Sequence, residues 1–188
     1  SAKPPLNGPA RAYASSFVLG NKAYVFGGAS DNGMLNDLWS YDNIHGWQPH
    51  TPLPGNGRGV AMAFSIDNAG FIVGGLADGN TPLDQLWLYN SVDDSWIPAT
   101  PALNARYYGT AFTLGQTAYV GTGYVGGVSV ASFEEYTPGA LDCEGIPGGT
   151  ALPGTGCDDG QSTTVDDMWS SSCVCAGQVL SDEWVLRQ

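Results

Sequence analysis

Three stretches of this 188-residue chain repeat one pattern at a spacing of 47 to 49 residues, and that periodicity limits the fold more than any other feature. The first stretch has Arg11-Ala12-Tyr13, then Ala23-Tyr24-Val25-Phe26-Gly27-Gly28, then Leu35-Asn36-Asp37-Leu38-Trp39-Ser40-Tyr41, and reaches Trp47 before Pro52-Leu53-Pro54. The second has Arg58, then Phe71-Ile72-Val73-Gly74-Gly75, then Leu83-Asp84-Gln85-Leu86-Trp87-Leu88-Tyr89 and Trp96. The third has Arg106, then Ala118-Tyr119-Val120-Gly121-Thr122-Gly123 and Phe133-Glu134-Glu135-Tyr136. Short apolar runs such as 23–26 and 71–73 suit strands packed on both faces. The glycines after them permit positive φ and close backbone approach where the chain turns.

An apolar strand ending in a double glycine, a Trp-x-Tyr strand about a dozen residues later and a further tryptophan resemble the kelch repeat. The resemblance covers roughly residues 9–138 and implies four-stranded antiparallel blades around a central axis. The expected fold is therefore all-β: about three kelch-type β-propeller blades, an incomplete ring, and a small disulfide-stapled C-terminal module. The boundaries read as residues 1–138 for the repeats (about 9–55, 56–103 and 104–138), 139–177 for the module and 178–188 for a strand-like end. Three blades do not close a ring, since propellers typically use four to eight. Blades elsewhere in a longer polypeptide, or other subunits, would complete it. In the third repeat Gly121-Thr122-Gly123 replaces the double glycine and no tryptophan strand follows Tyr136, so its outermost strand is missing or supplied from elsewhere.

Composition agrees with many short strands: 27 Gly, 12 Pro, 6 Trp and 9 Tyr, with 13% charged residues. A net charge of −12 argues against nucleic acid and anionic membranes as partners. No run of about 18 apolar residues is present to insert into a bilayer. The start, Ser1-Ala2-Lys3-Pro4-Pro5, lacks an apolar signal region, which suggests a mature secreted chain or one whose signal lies upstream.

From Asp142 to Gly177 the aromatic periodicity stops and Gly, Pro, Ser, Thr and Asp dominate. All four cysteines, Cys143, Cys157, Cys173 and Cys175, lie here without a C-x-x-C pair, so disulfides and an extracellular or cell-surface location are expected. A bridge between Cys173 and Cys175 would strain a short loop, so Cys143 is expected to pair with one of them and Cys157 with the other. The segment resembles a short module of large secreted Bacteroidota proteins, where it accompanies adhesive or repeat domains. Asp158, Asp159, Asp166 and Asp167 surround Gly160, a density of carboxylates that calcium takes. A calcium loop is one reading and an acidic solvated turn the other; no other cofactor is expected. Further on, the segment 180–186 resembles the Leu35 to Trp39 strand.

Arg11, Arg58 and Arg106 are the repeated charged positions. Blade symmetry would carry them to one mouth, where guanidinium groups could bind carboxylates or acidic sugars. The competing reading makes each a structural tie to carbonyls or an acid on the adjacent blade. The loops 29–34 and 76–81, with Asp31, Asn32, Asp78 and Asn80, form an alternative contact surface, or plain turns. Catalytic residues are not expected. His45 and His50 lack an evident third ligand, Glu134 and Glu135 point to opposite faces of a strand, and no cysteine lies in the repeats to complete a radical-copper site. The expected function is a secreted or cell-surface recognition or adhesion module for protein or glycan, in a larger envelope-associated assembly. The alternatives are a carbohydrate-active propeller enzyme and a structural subunit that supplies strands to an assembly.

Overall fold

The computed structural model describes residues 3–99, 104–140, 142–144 and 150–179. It divides the chain into two compact units, Ser1–Thr137 and Pro138–Gln188. Blade 1 is a four-stranded antiparallel meander of β1 (Ser15–Leu19), β2 (Lys22–Ser30), β3 (Gly33–Asp42) and β4 (Gly46–His50). Blade 2 comprises β5 (Met62–Ile66), β6 (Ala69–Val73), a small ribbon of β7 (Leu76–Ala77) and β8 (Thr81–Pro82), then β9 (Leu86–Asn90) and β10 (Ser95–Ala99), with sheet order β5-β6-β9-β10. In the third repeat β11 (Arg106–Tyr107) pairs with β14 (Tyr124–Val125), which pairs with β15 (Val128–Ser129). Its blade is three-stranded: β12 (Thr110–Leu114), β13 (Thr117–Gly121) and β16 (Phe133–Tyr136). The repeat unit is thus a β-propeller blade, and the third lacks an outer strand among the described residues.

Period-two alternation puts one row of each strand into the space between blades. Phe17, Leu19, Tyr24, Phe26 and Leu38 of blade 1 form a core with Ile72, Tyr89 and Trp96 of blade 2. Phe17 stacks on Tyr24 with ring centroids 5.0 Å apart, and both rings approach Tyr89, at 6.4 and 5.7 Å. Blade 2 repeats this toward blade 3: Phe64 stacks on Phe71 at 4.8 Å, and Tyr136 lies 6.1 and 5.7 Å from them. Burial of one aromatic side chain contributes about 2 kcal/mol, so these rings dominate the attachment of blade to blade.

The double glycine has a specific steric reason. Gly27 and Gly28 have φ of 58° and 102°, and Gly28 N donates to the Arg58 carbonyl of the next blade at 2.9 Å. A Cβ on Gly27 would lie 2.6 Å from that carbonyl oxygen. Gly74 and Gly75 repeat the arrangement with Arg106, whose carbonyl accepts from Gly75 N at 2.8 Å. At the corresponding place in the third repeat stands Thr122, with φ of 55°.

In the second unit β17 (Thr164–Trp169) pairs antiparallel with β18 (Cys175–Val179), and Cys143–Cys173 and Cys157–Cys175 bridges close the chain. The sequence left two pairings open, and the structure selects this one. Cys173 lies in the turn before β18, whereas Cys175 faces Trp169 at its start, so the two cysteines serve different parts of the module. The strand-like stretch 180–186 lies outside the described residues.

Candidate functional site

The three arginines do not present exposed guanidinium groups; the side chain of Arg11 is 6% exposed. Arg58 and Arg106 are fully buried. Each guanidinium reaches sixteen residues ahead into its own blade: Arg11 to Gly27 O at 3.1 Å, Arg58 to Gly74 O at 3.2 Å and Arg106 to Thr122 O at 2.9 Å. A side chain near the start of the Trp-strand region takes the fork's other arm. It is Asp37 at 2.7 and 2.8 Å for Arg11, Gln85 Oε1 at 2.7 Å for Arg58 and Glu134 Oε1 at 3.1 Å for Arg106. The backbone of Arg58 meanwhile bonds blade 1, donating to Leu35 O and accepting from Gly28 N, both at 2.9 Å. Arg106 does the same toward blade 2 through Leu83 O and Gly75 N, at 3.2 and 2.8 Å.

Each of these two residues therefore rivets its own blade to the preceding one, a duty for which the planar five-donor guanidinium is suited. The acids of the structural reading, Asp37 and Glu134, lie 26 and 28 residues beyond their arginines in the same blade rather than on the adjacent one, and Gln85 takes that place for Arg58. Burial lowers Arg58 to about 10, which still leaves it charged at neutral pH. For Asp37, burial works upward, but the bonds from Arg11 and Trp39 outweigh it and hold the carboxyl below the usual range.

Two residues beyond each arginine the chain does something the sequence did not signal. Tyr13, Val60 and Tyr108 all have left-handed backbones, with φ of 59°, 52° and 56°. They are linked in series from blade to blade: Val60 N donates to Tyr13 O at 3.0 Å and Tyr108 N to Val60 O at 3.1 Å. Bulky and β-branched residues are true outliers in this region, at about 1 kcal/mol or more each. The rings are not compensated by burial, since Tyr13 and Tyr108 are 59% and 51% exposed.

They join a four-ring cluster. Tyr13 meets Tyr108 edge to face at 5.9 Å, Tyr107 stacks on Tyr124 at 5.5 Å, and Tyr108 stands against Tyr107 and Tyr124 at 5.8 and 6.3 Å. Tyr13 comes from blade 1 and the other three from the third repeat, so only folding assembles them. No strand pattern announces them: positions 13, 60 and 108 carry bulky residues, and only the backbone angles show that glycine would relieve strain there.

The post-glycine loops are plainer. Asp31 and Asn32 are exposed at the β2–β3 turn, where Asn32 N donates to Ser30 Oγ at 3.2 Å. Asp78 ties its loop to blade 1 by accepting from Met34 N at 2.9 Å, and exposed Asn80 has φ of 56°. His45 and His50 have separate partners. His45 Nδ1 contacts Asp42, whose carboxyl it holds down to about 2. His50 Nε2 is 2.8 Å from Ser40 Oγ, and Nδ1 is 3.1 Å from Asp94 Oδ1. This hydroxyl–imidazole–carboxylate order is the one that activates nucleophiles. Ser40, however, is buried in the blade interface, where the trio locks β3 and β4 to blade 2.

In the second unit, ligand atoms of Asp158, Asp159 and Asp167 lie within 4.8 Å of one another, whereas Asp166 does not join them. Asp158 and Asp159 accept from the amides of Gly160 and Gln161 at 2.8 and 2.9 Å, as carboxylates of an acidic turn do.

No family model matches the chain. Over 74 residues it is 42% identical to Kelch-like protein 23 of Pongo abelii and, at the same level, to that of Homo sapiens; the match covers 39% of this chain and 13% of each relative. Kelch-like protein 23 of Mus musculus is 46% identical over 56 residues, 30% of this chain and 10% of the relative. The chain thus spans about an eighth of the length of these curated relatives. Blade architecture, repeat period and these partial matches together support a kelch-repeat protein. The likeness is to Kelch-like protein 23 over those segments, and the disulfide module lies outside what it establishes. No helix among the described residues is long and apolar enough to cross a membrane. The two disulfides fit an oxidising environment.

Proposed function

We propose that the chain is a recognition module that binds a protein or glycan through the tyrosine cluster formed by Tyr13, Tyr107, Tyr108 and Tyr124. The observation that carries this reading is strain without burial: Tyr13 and Tyr108 hold left-handed backbones yet leave their rings half exposed. Val60, in the same backbone conformation, is partly buried, whereas the two tyrosines hold their rings out to solvent. Tyrosine offers a flat apolar face and a hydroxyl at little conformational cost, which is why it is favoured in contact surfaces. Kelch-like relatives support a protein-binding role. The disulfides and the module's resemblance to segments of secreted Bacteroidota proteins support a secreted or cell-surface setting within an envelope-associated assembly.

Binding rather than catalysis is proposed because the groups with catalytic potential are otherwise engaged. Ser40 is buried between blades and Glu134 is held by Arg106. The test is a pair of variants, Tyr13→Gly and Tyr108→Gly, screened with wild type against arrays of glycans and of peptides. Each variant should gain about 1 kcal/mol of stability from relief of strain while losing at least tenfold in binding to whatever the wild type retains. Unchanged binding in both variants would remove the cluster from the contact surface.

A further inference from the structure

With their guanidinium groups turned inward, Arg11, Arg58 and Arg106 leave the surface of the repeats acidic. Lys3 and Lys22 are the exposed cations of the described repeats, against exposed Asp31, Asp67, Asp78, Asp84, Asp93 and Glu135. Two of these acids belong to the same part of the repeat as the tyrosines. The residue before each left-handed position bridges the ribbon that follows the strand-end glycines: Ala12 faces Ala29, Gly59 faces Leu76 and Tyr107 faces Tyr124. Two residues further along these ribbons stand Asp31, Asp78 and Gly126. Repetition thus sets one acid on the ribbon beside Tyr13 and another on the ribbon beside Val60, while the third ribbon carries Tyr124 and a bare glycine tip. Among the described residues neither Asp31 nor Asp78 has an ion-pair partner.

The rings themselves favour a cation. The face of a tyrosine ring is the negative end of its quadrupole and the edge the positive. Tyr13 and Tyr108 stand at 87° and Tyr108 and Tyr124 at 71°, so the cluster turns ring faces in more than one direction. Tyr13, Tyr108 and Tyr124 are 59%, 51% and 41% exposed. A cation resting against them keeps part of its hydration and is attracted by each face within about 6 Å. Arginine suits this best, because its flat, weakly hydrated guanidinium stacks on an aromatic face while its N–H groups stay free for carboxylates. A carboxylate or acidic sugar would instead meet like charge from Asp31 and Asp78 and no exposed counter-charge from the buried arginines.

We propose that the occupant of the tyrosine cluster is an arginine side chain from a basic segment of a protein partner, with Asp31 and Asp78 drawing that segment in. This rests on the reading of the cluster as the contact surface and adds the chemistry of what it takes.

NMR titration of the full chain with tetra-arginine, tetra-glutamate and the neutral sugar maltotetraose tests it, with affinity read from the ring signals of Tyr124. Tetra-arginine should shift them, more weakly as salt is added, and the other two should not. Tyr108→Phe keeps the ring face and should bind within about twofold of wild type, whereas Tyr108→Leu keeps the bulk without the face and should bind about fivefold more weakly. Tyr13→Leu should show the same loss, so that the test stands if one variant fails to fold. Asp31→Asn combined with Asp78→Asn should weaken binding about threefold at low salt and leave it unchanged at high salt. Tetra-arginine that leaves the Tyr124 ring unshifted overturns the proposal. Equal affinity in wild type and both leucine variants overturns it as well, because net charge alone then captures the peptide. Maltotetraose or tetra-glutamate that shifts the Tyr124 ring where tetra-arginine does not overturns the cation while leaving the cluster as the contact surface.

Discussion

His50, the last residue of β4, places Nδ1 3.1 Å from Oδ1 of Asp94, in the β9–β10 turn of the next blade. Asp94 also accepts from the Tyr89 hydroxyl at 2.6 Å and from Thr51 N and Oγ1, both at 3.0 Å. Burial works to raise its carboxyl, yet these bonds and the nearby imidazole outweigh it and hold the group below its ordinary value. Tyr89 shows the reverse side of the same contact: burial first, and then Asp94, push its hydroxyl upward.

The acid stability of the propeller unit follows from Asp94 and Asp37. Both are depressed in the folded state, so their contribution is fully present above the unfolded value near 3.9 and is lost as pH falls through the lower folded value. Melting temperature should hold from pH 6 to about 4.5 and fall below pH 4. Asp94→Asn and Asp37→Asn should each lower it at pH 6 and flatten the fall.

Arg58 is a rivet and should behave as one. Arg58→Ala removes two charge-assisted bonds and leaves a buried void, so it should destabilise the repeats by about 3 kcal/mol in urea unfolding. Arg58→Lys keeps the charge without the fork and should fall between the two. An effect on Arg58→Ala of less than about 1 kcal/mol would contradict the role.

Steric and conformational costs of glycine replacement separate in two variants. Gly20 has φ of 54° with nothing within 4 Å of an added Cβ, whereas Gly27 has φ of 58° with the Arg58 carbonyl 2.6 Å away. Gly20→Ala should cost about 1 kcal/mol and Gly27→Ala at least twice that, because only the second displaces the neighbouring blade.

The disulfides should matter to one unit only. Bridges spanning 30 and 18 residues each contribute about 3 kcal/mol in the chain-entropy view. Reduction should therefore abolish amide-exchange protection in β17 and β18 and leave that of β2, β6 and β13 unchanged. Protection of β17 and β18 that survives reduction would show that packing alone holds the module.

The repeat period, the blades and the positions of the double glycines were all legible in the sequence, because each depends on side-chain volume and local φ that a residue type largely dictates. So was the recurrence of Arg11, Arg58 and Arg106, and the limitation of Cys143, Cys157, Cys173 and Cys175 to two pairings. The direction of a long guanidinium was not legible: whether it lines a mouth or turns into its own blade depends on carbonyls sixteen residues away. Tyr13 and Tyr108 were hidden for a related reason. Their backbones are forced by hydrogen bonds passed from blade to blade, and their rings, 95 residues apart in the chain, meet at 5.9 Å only after the repeats have packed. Local preference fixes strands and turns; contacts between repeats decide which identical-looking residues are buried, as Phe17 and Phe64 are at 5% and 4% exposure, and which, like Phe112 at 43%, are not.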